Sequence, residues 1–143
     1  MINDKKMLEA ICKSSDMGRE SLKQVLEKTN DPALKKALNA QITEYEKNYQ
    51  AAAKLLSAAD GQPKQASSMA KIQSQIMTSV KTLTSLDTTS KIAEMVIQGS
   101  TMGVTKITKE LHDYIGGNPK VKALAEKHLR TEQANIEEMK KFL

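Results

Sequence analysis

The fold is decided by residues 30–48, NDPALKKALNAQITEYEKN, set against residues 117–135, GNPKVKALAEKHLRTEQAN. After each proline the apolar positions keep step: Leu34 with Val121, Ala37 with Leu124, Leu38 with Ala125, Ile42 with Leu129. The polar positions keep step as well, with Gln41 falling on His128, Tyr45 on Glu132 and Asn48 on Asn135. Working outward, Met17-Gly18 recurs 85 residues later as Met102-Gly103, whereas Pro32 recurs 87 residues later as Pro119. The second copy therefore carries two extra residues between these landmarks. Two copies of one helical hairpin imply a pseudo-symmetric, antiparallel four-helix bundle, an all-α fold in which sites are built between the halves.

Local signals divide the chain accordingly. Asn3-Asp4 can cap a first helix over 4–28, whose stripe runs through Met7, Ile11, Ser14, Gly18, Leu22 and Val25 at helical spacing. Asp31-Pro32 and Asn118-Pro119 each place a capping side chain before a proline at the first helical position. They open helices over 32–58 and 119–142. A fourth helix, over 88–115, follows Asp87 and stops at Gly116-Gly117. Short connections within each pair make the partners antiparallel neighbours. The chain then reads as one domain, 1–143, with hairpins over 4–58 and 88–142 joined by a crossover over 60–87. That crossover is rich in Ser, Thr, Gln and Met, yet Met69, Ile72, Ile76, Val80 and Leu83 form a helical stripe. An extra amphipathic helix over 65–84 is expected there, because a structureless connection of this length is unusual in a compact domain. Its plain role is to cover the bundle; its sharper role is a homo-oligomer surface.

Composition narrows the function classes. The 143 residues are 39% hydrophobic, 27% charged and only 3% aromatic, with no Trp. An aliphatic, Met-rich core suits helices, and the lack of aromatic platforms speaks against stacking on single-stranded nucleic acid. The net charge of +5 is spread over lysines on every helix face rather than gathered in a run, so it reads as solubility more than as a nucleic-acid or lipid patch. No apolar stretch approaches the roughly 20 residues that span a bilayer, and the N-terminal residues do not form a signal peptide. Cys12 is the single cysteine, which fits a reducing compartment. A cytoplasmic location is the expectation.

The chemistry lies in polar residues on apolar faces. On the last helix Val121, His128, Glu132 and Met139 point within about 20° of one direction, with Asn135 to one side. On the second, Gln41 and Tyr45 straddle the stripe with Asn48 beside them. Ser14 and Gly18 stand at the matching level of the first helix, and Gly99 and Gly103 at that of the third. Left without partners, such groups cost a few kcal/mol each on burial. They are therefore expected to bond to one another, to water or to an ion.

Two helical hairpins, a long crossover and this mid-bundle polar layer resemble the ferritin-like superfamily, and within it the small bacterial ferritin-like domains of unknown function. Metal-binding members carry a Glu on the first and third helices and a Glu-x-x-His on the second and fourth. Here the fourth helix offers Glu132-x-x-Asn135 and the second Tyr45-x-x-Asn48, while serine and glycines stand where carboxylates belong. Glu132 and His128 alone survive as candidate metal ligands, too few for a two-metal centre. The layer formed by Ser14, Gln41, Tyr45, Asn48, His128, Glu132 and Asn135 is thus expected to be a hydrogen-bonded core. In it Glu132 accepts from Tyr45. The expected function is a non-enzymatic bundle, structural or interaction-bearing, with a degenerate metal site and no cofactor. The alternative is a protein that binds or oxidises iron or manganese, or holds zinc weakly, through an incomplete site. A basic DNA-associated protein is the third reading.

Other features carry less. Cys12 is placed off the first helix's stripe, with nothing to activate its thiol. Asp16 and Glu20 are placed facing away from the core, and His112 on the surface. Gly99-x-x-x-Gly103 indicates tight helix packing in a soluble bundle.

Overall fold

The computed structural model describes residues 1–59 and 88–143. Within them the chain forms four helices, α1 (Asp4–Glu27), α2 (Pro32–Ala58), α3 (Thr88–Asp113) and α4 (Pro119–Lys140). No strand occurs among the described residues, only an isolated bridge between Ile2 and Tyr114. All four expected helices are present, and the second helix of each hairpin starts at its expected proline, Pro32 and Pro119. The expected helix over 65–84 lies outside the described residues.

The starts follow from side-chain caps. Asn3 Oδ1 accepts from the Lys6 amide at 2.9 Å, Asp31 Oδ1 from the Ala33 and Leu34 amides at 2.8 and 3.0 Å, and Asn118 Oδ1 from the Lys120 amide at 2.9 Å. Each satisfies amide donors that the first helical turn leaves open.

α1 packs along α2 and α3 along α4; the halves meet where α2 lies against α4 and where α1 touches both α3 and α4. Directions follow from the contacts. The start of α1 meets the end of α3, through Ile2 N–H to Asp113 O (2.8 Å), Ile115 N–H to Ile2 O (2.9 Å) and a short hydrogen bond from Tyr114 to Asp4. Ala58 and Thr88 therefore stand at opposite ends of the bundle, the arrangement that a long crossover requires.

Burial reproduces the repeat. On α2 the buried positions are Leu34, Ala37, Leu38, Gln41, Tyr45, Asn48, Ala52 and Leu56. Shifted by 87, the first seven become Val121, Leu124, Ala125, His128, Glu132, Asn135 and Met139, all buried on α4. On α3 the buried residues Ile92, Ala93, Val96, Ser100 and Ile107 answer, at a shift of 85, to Met7, Leu8, Ile11, Ser15 and Leu22, all buried on α1. The duplication thus extends up to ten residues before Met17, where sequence similarity has faded but the inward face has not.

Two expectations for α1 need correction. Cys12 is fully buried, packed with Met7, Leu8 and Ile11, and Asp16 is buried as well. α1 is flanked by three helices and so buries a broader arc than a single inward stripe. Arg19 folds over Asp16, bridging it to Glu46 of α2 and stacking 4.9 Å above the Tyr49 ring.

Candidate functional site

The two apolar clusters of the core sit at opposite ends of the bundle. One gathers Leu22, Val25, Leu34, Leu38, Ile92, Val96 and Met139; the other gathers Met7, Leu8, Ile11, Leu56, Ile107, Val121 and Ala125. Between them lies the polar layer. Gln41, Asn48, His128, Glu132, Asn135, Ser15, Ser100 and Thr131 are all buried there.

At its centre Tyr45 of α2 meets Glu132 of α4. The Tyr45 hydroxyl donates to the carboxylate, with both oxygens in range at 2.8 and 2.9 Å. Glycines make this meeting possible. A Cβ on Gly18 would stand 2.5 Å from the Tyr45 ring, and one on Gly103 would stand 2.7 Å from the Glu132 carboxyl carbon. The Met-Gly pairs that mark the repeat are thus the gaps through which the two central side chains pass.

His128 anchors one flank. Its Nε2 lies 3.0 Å from Ser14 Oγ, and its Nδ1 lies 3.3 Å from Asn48 Nδ2 and 3.5 Å from Ser15 Oγ. The network assigns the tautomer. The Thr131 hydroxyl donates to the Lys127 carbonyl (3.0 Å) and so accepts from Asn48 Nδ2 at 3.1 Å. The second Nδ2 proton of Asn48 faces His128 Nδ1, which must offer its lone pair. The ring proton is then on Nε2, donating to Ser14.

Burial governs the charges. It holds the His128 imidazole down to about 4, so the ring is neutral near pH 7. It pushes the Glu132 carboxyl up to about 7, against the hydrogen bonds from Tyr45 and Ser100. It also raises the Tyr45 hydroxyl well above its usual range, helped by the neighbouring Glu132 charge. His128 Nε2 and Glu132 Oε1 are 3.6 Å apart. With the imidazole neutral, that contact is an N–H dipole beside a carboxyl rather than an ion pair.

The other flank differs. Ser100 and Asn135 stand beside the Tyr45 hydroxyl, but neither amide atom of Gln41 has a partner among the described residues, nor does Asn135 Nδ2 or Asn48 Oδ1.

All seven residues singled out from sequence therefore lie at this level of the bundle, with Ser14 at its edge. Gly99 does not face inward but is exposed; Ser100 takes that place. Lys106 and His112 are exposed, and Glu110 is half-buried with its carboxyl raised by burial. Sequence reasoning missed Ser15, Ser100 and Thr131. The first two were detectable, because they are a matched pair at the same shift of 85 as Met17 and Met102. Thr131 has no such mark, since its counterpart at a shift of 87 is Glu44.

The residues present do not fit a two-metal centre. Among the described residues, no three His, Cys, Asp or Glu side chains come together to hold a metal ion. Ligation by His128 Nε2 would require the ring proton on Nδ1, opposite the Asn48 amide protons. Both Glu132 oxygens already face the Tyr45 hydroxyl.

No curated protein and no solved structure matches the chain. The family described as Domain of unknown function (DUF2383) matches residues 4–113, which takes in the first hairpin, the crossover and α3. The chain belongs to that family.

Proposed function

We propose that this chain is a non-catalytic, ferritin-like helical bundle, a structural or interaction module. In this reading the level at which ferritin-like proteins hold metal has become a hydrogen-bonded tie between two hairpins. The observation that carries it is the Tyr45–Glu132 bond, made by residues at equivalent positions of the repeat and seated in gaps left by equivalent glycines. A site kept for metal would place carboxylates where Gly18, Gly103 and Tyr45 stand. A bacterial source and a cytoplasmic setting belong to the same proposal, the single buried Cys12 being suited to a reducing compartment. A homo-oligomer through helical faces, including that expected over 65–84, is part of it too.

A double-mutant cycle tests the tie. Tyr45→Phe strands a buried carboxylate and Glu132→Leu strands a buried hydroxyl. Each is expected to cost about 1–3 kcal/mol. The double variant Tyr45→Phe/Glu132→Leu removes both polar groups together. It is expected to be more stable than the sum of the single losses predicts, as for buried pairs replaced by apolar groups. Strictly additive losses in urea denaturation would oppose the reading.

The second reading, a weakly held iron, manganese or zinc ion, rests on the 3.6 Å approach of His128 Nε2 to Glu132 Oε1. It needs the layer to exchange its present bonds for a ligand set, and the tautomer of His128 counts against it.

A further inference from the structure

The repeat carries one outward helix face twice, and the molecule treats the two copies differently. On α3, Glu94, Gln98, Thr101, Met102, Thr105 and Lys109 are all exposed. They point within about 50° of one direction on an ideal helix, opposite the inward Ile92, Val96, Ser100 and Ile107. Shifted by 85, they become Glu9, Lys13, Asp16, Met17, Glu20 and Gln24 of α1, none of which is exposed. The face is drawn into the molecule on α1 and left bare on α3. Met102 marks the middle of the bare face. It is 66% exposed, and among the described residues it is the one large apolar side chain so exposed within a helix; Met1, Ile115 and Leu143 lie outside the helices. An open depression of about 340 Å³ beside it is lined by Thr101, Met102, Thr105, Lys106 and Lys109.

The charges on this face complement a second copy of themselves. One end of α3 carries Lys91 and Glu94, and the other carries Lys109, His112 and Asp113, all exposed. Glu94 and Lys109 stand equally far on either side of Thr101-Met102, and Lys91 and Asp113 nearly so. Two such helices laid antiparallel about that centre therefore set Glu94 of each copy opposite Lys109 of the other, and Lys91 opposite Asp113. The uncharged Gln98, Thr101, Met102 and Thr105 fill the middle. A parallel pairing would instead set Glu94 on Glu94 and Lys109 on Lys109. Glu94 already holds its own Lys91 at 3.3 Å, so the acid would sit between two lysines. We infer that the outward face of α3 is where two copies of this chain associate, antiparallel and about a two-fold axis at Thr101-Met102. This gives a face and a register to the homo-oligomer proposed above and rests on that reading. One helix per copy offers less than the standard interface of roughly 800 Å² per partner, so the dimer is weak and forms at high concentration. Its exposed charge pairs select the orientation more than they add strength.

The test is sedimentation velocity on the intact chain over a concentration series at low salt, with helicity and thermal midpoint verifying the fold of each variant. The wild type is expected to pass from monomer to dimer as concentration rises. Glu94→Lys and Lys109→Glu each set like charges together, twice per dimer by symmetry, and each is expected to weaken association by about tenfold or more. The charge swap Glu94→Lys/Lys109→Glu is expected to restore it to within about threefold of the wild type. The two positions stand roughly 22 Å apart along one helix, so rescue requires that they meet between copies. A wild type that stays monomeric throughout, as it would with residues 60–87 of its own chain seated on this face, overturns both the inference and the oligomer reading. A dimer that ignores the single reversals, or a swap that fails to rescue, overturns this face and register alone and leaves association through 65–84 standing.

Discussion

His128 and Glu132 occupy successive turns of α4, yet burial moves them in opposite senses, the imidazole down to about 4 and the carboxyl up to about 7. Their effects on stability oppose each other. Folded Glu132 holds its proton above the range in which the unfolded carboxyl loses it, so its contribution is complete below about pH 4.5 and fades as pH rises to about 7. Folded His128 refuses a proton that the unfolded imidazole accepts, so its contribution is complete above about 6.5 and fades as pH falls to about 4. Between these limits the two slopes nearly cancel, and the wild type is expected to show a flat denaturation midpoint from about pH 4.5 to 6.5. Glu132→Gln should expose the histidine slope, with stability rising with pH across this window. His128→Gln should expose the carboxyl slope, with stability falling. Urea midpoints measured at half-unit pH steps check both signs; a common slope in the two variants would contradict the assignment. The sequence showed which polar residues lie inward, from their helical spacing. It did not show the protonation of either group, which depends on burial by elements distant in the chain.

At the scale of the helices, the glycines distinguish a packing constraint from a vacancy in the pattern. Gly18 and Gly103 each face a central side chain at less than 3 Å from a hypothetical Cβ. Ala in a helix gains about 1 kcal/mol over Gly, but overpacking costs about 1–3 kcal/mol. Gly18→Ala meets a ring that the Glu132 bond holds in place, and is expected to destabilise by up to about 2 kcal/mol net. Gly99→Ala meets nothing among the described residues and is expected to stabilise by about 0.5–1 kcal/mol. Opposite shifts in thermal midpoint for these two variants would verify the contrast; equal shifts would refute it. The caps make a further contribution. Asp31→Ala removes two amide contacts at the start of α2 and is expected to cost about 1 kcal/mol, read by the same denaturation. The capping residues and both prolines were legible because their chemistry is local. The breadth of the buried face of α1 was not, which is why Cys12 and Asp16 proved buried: it depends on how many helices flank α1.

For the whole molecule, the repeat is a symmetry of the interior. The shifts of 85 and 87 exchange the two apolar clusters, carrying Leu34 and Leu38 into Val121 and Ala125, and Met7 and Ile11 into Ile92 and Val96. The polar layer lies between the clusters and is where the copies depart from one another. Tyr45 and Glu132 turn equivalent positions into donor and acceptor, a bond that two identical residues could not make as well. The fold was legible in the sequence because the apolar frame is duplicated. The composition of the layer was largely legible too, but its wiring between helices was not, since those bonds join residues 80 or more positions apart. The central claim is that this wiring, rather than a metal, joins the halves. Its most direct test is to incubate the intact protein with Fe(II), Mn(II) or Zn(II) at neutral pH, remove free ions and measure the metal retained per chain. The account predicts far less than one ion per chain and an unshifted thermal midpoint. One or more retained ions per chain, lost on substitution of His128 or Glu132 by Ala, would contradict it.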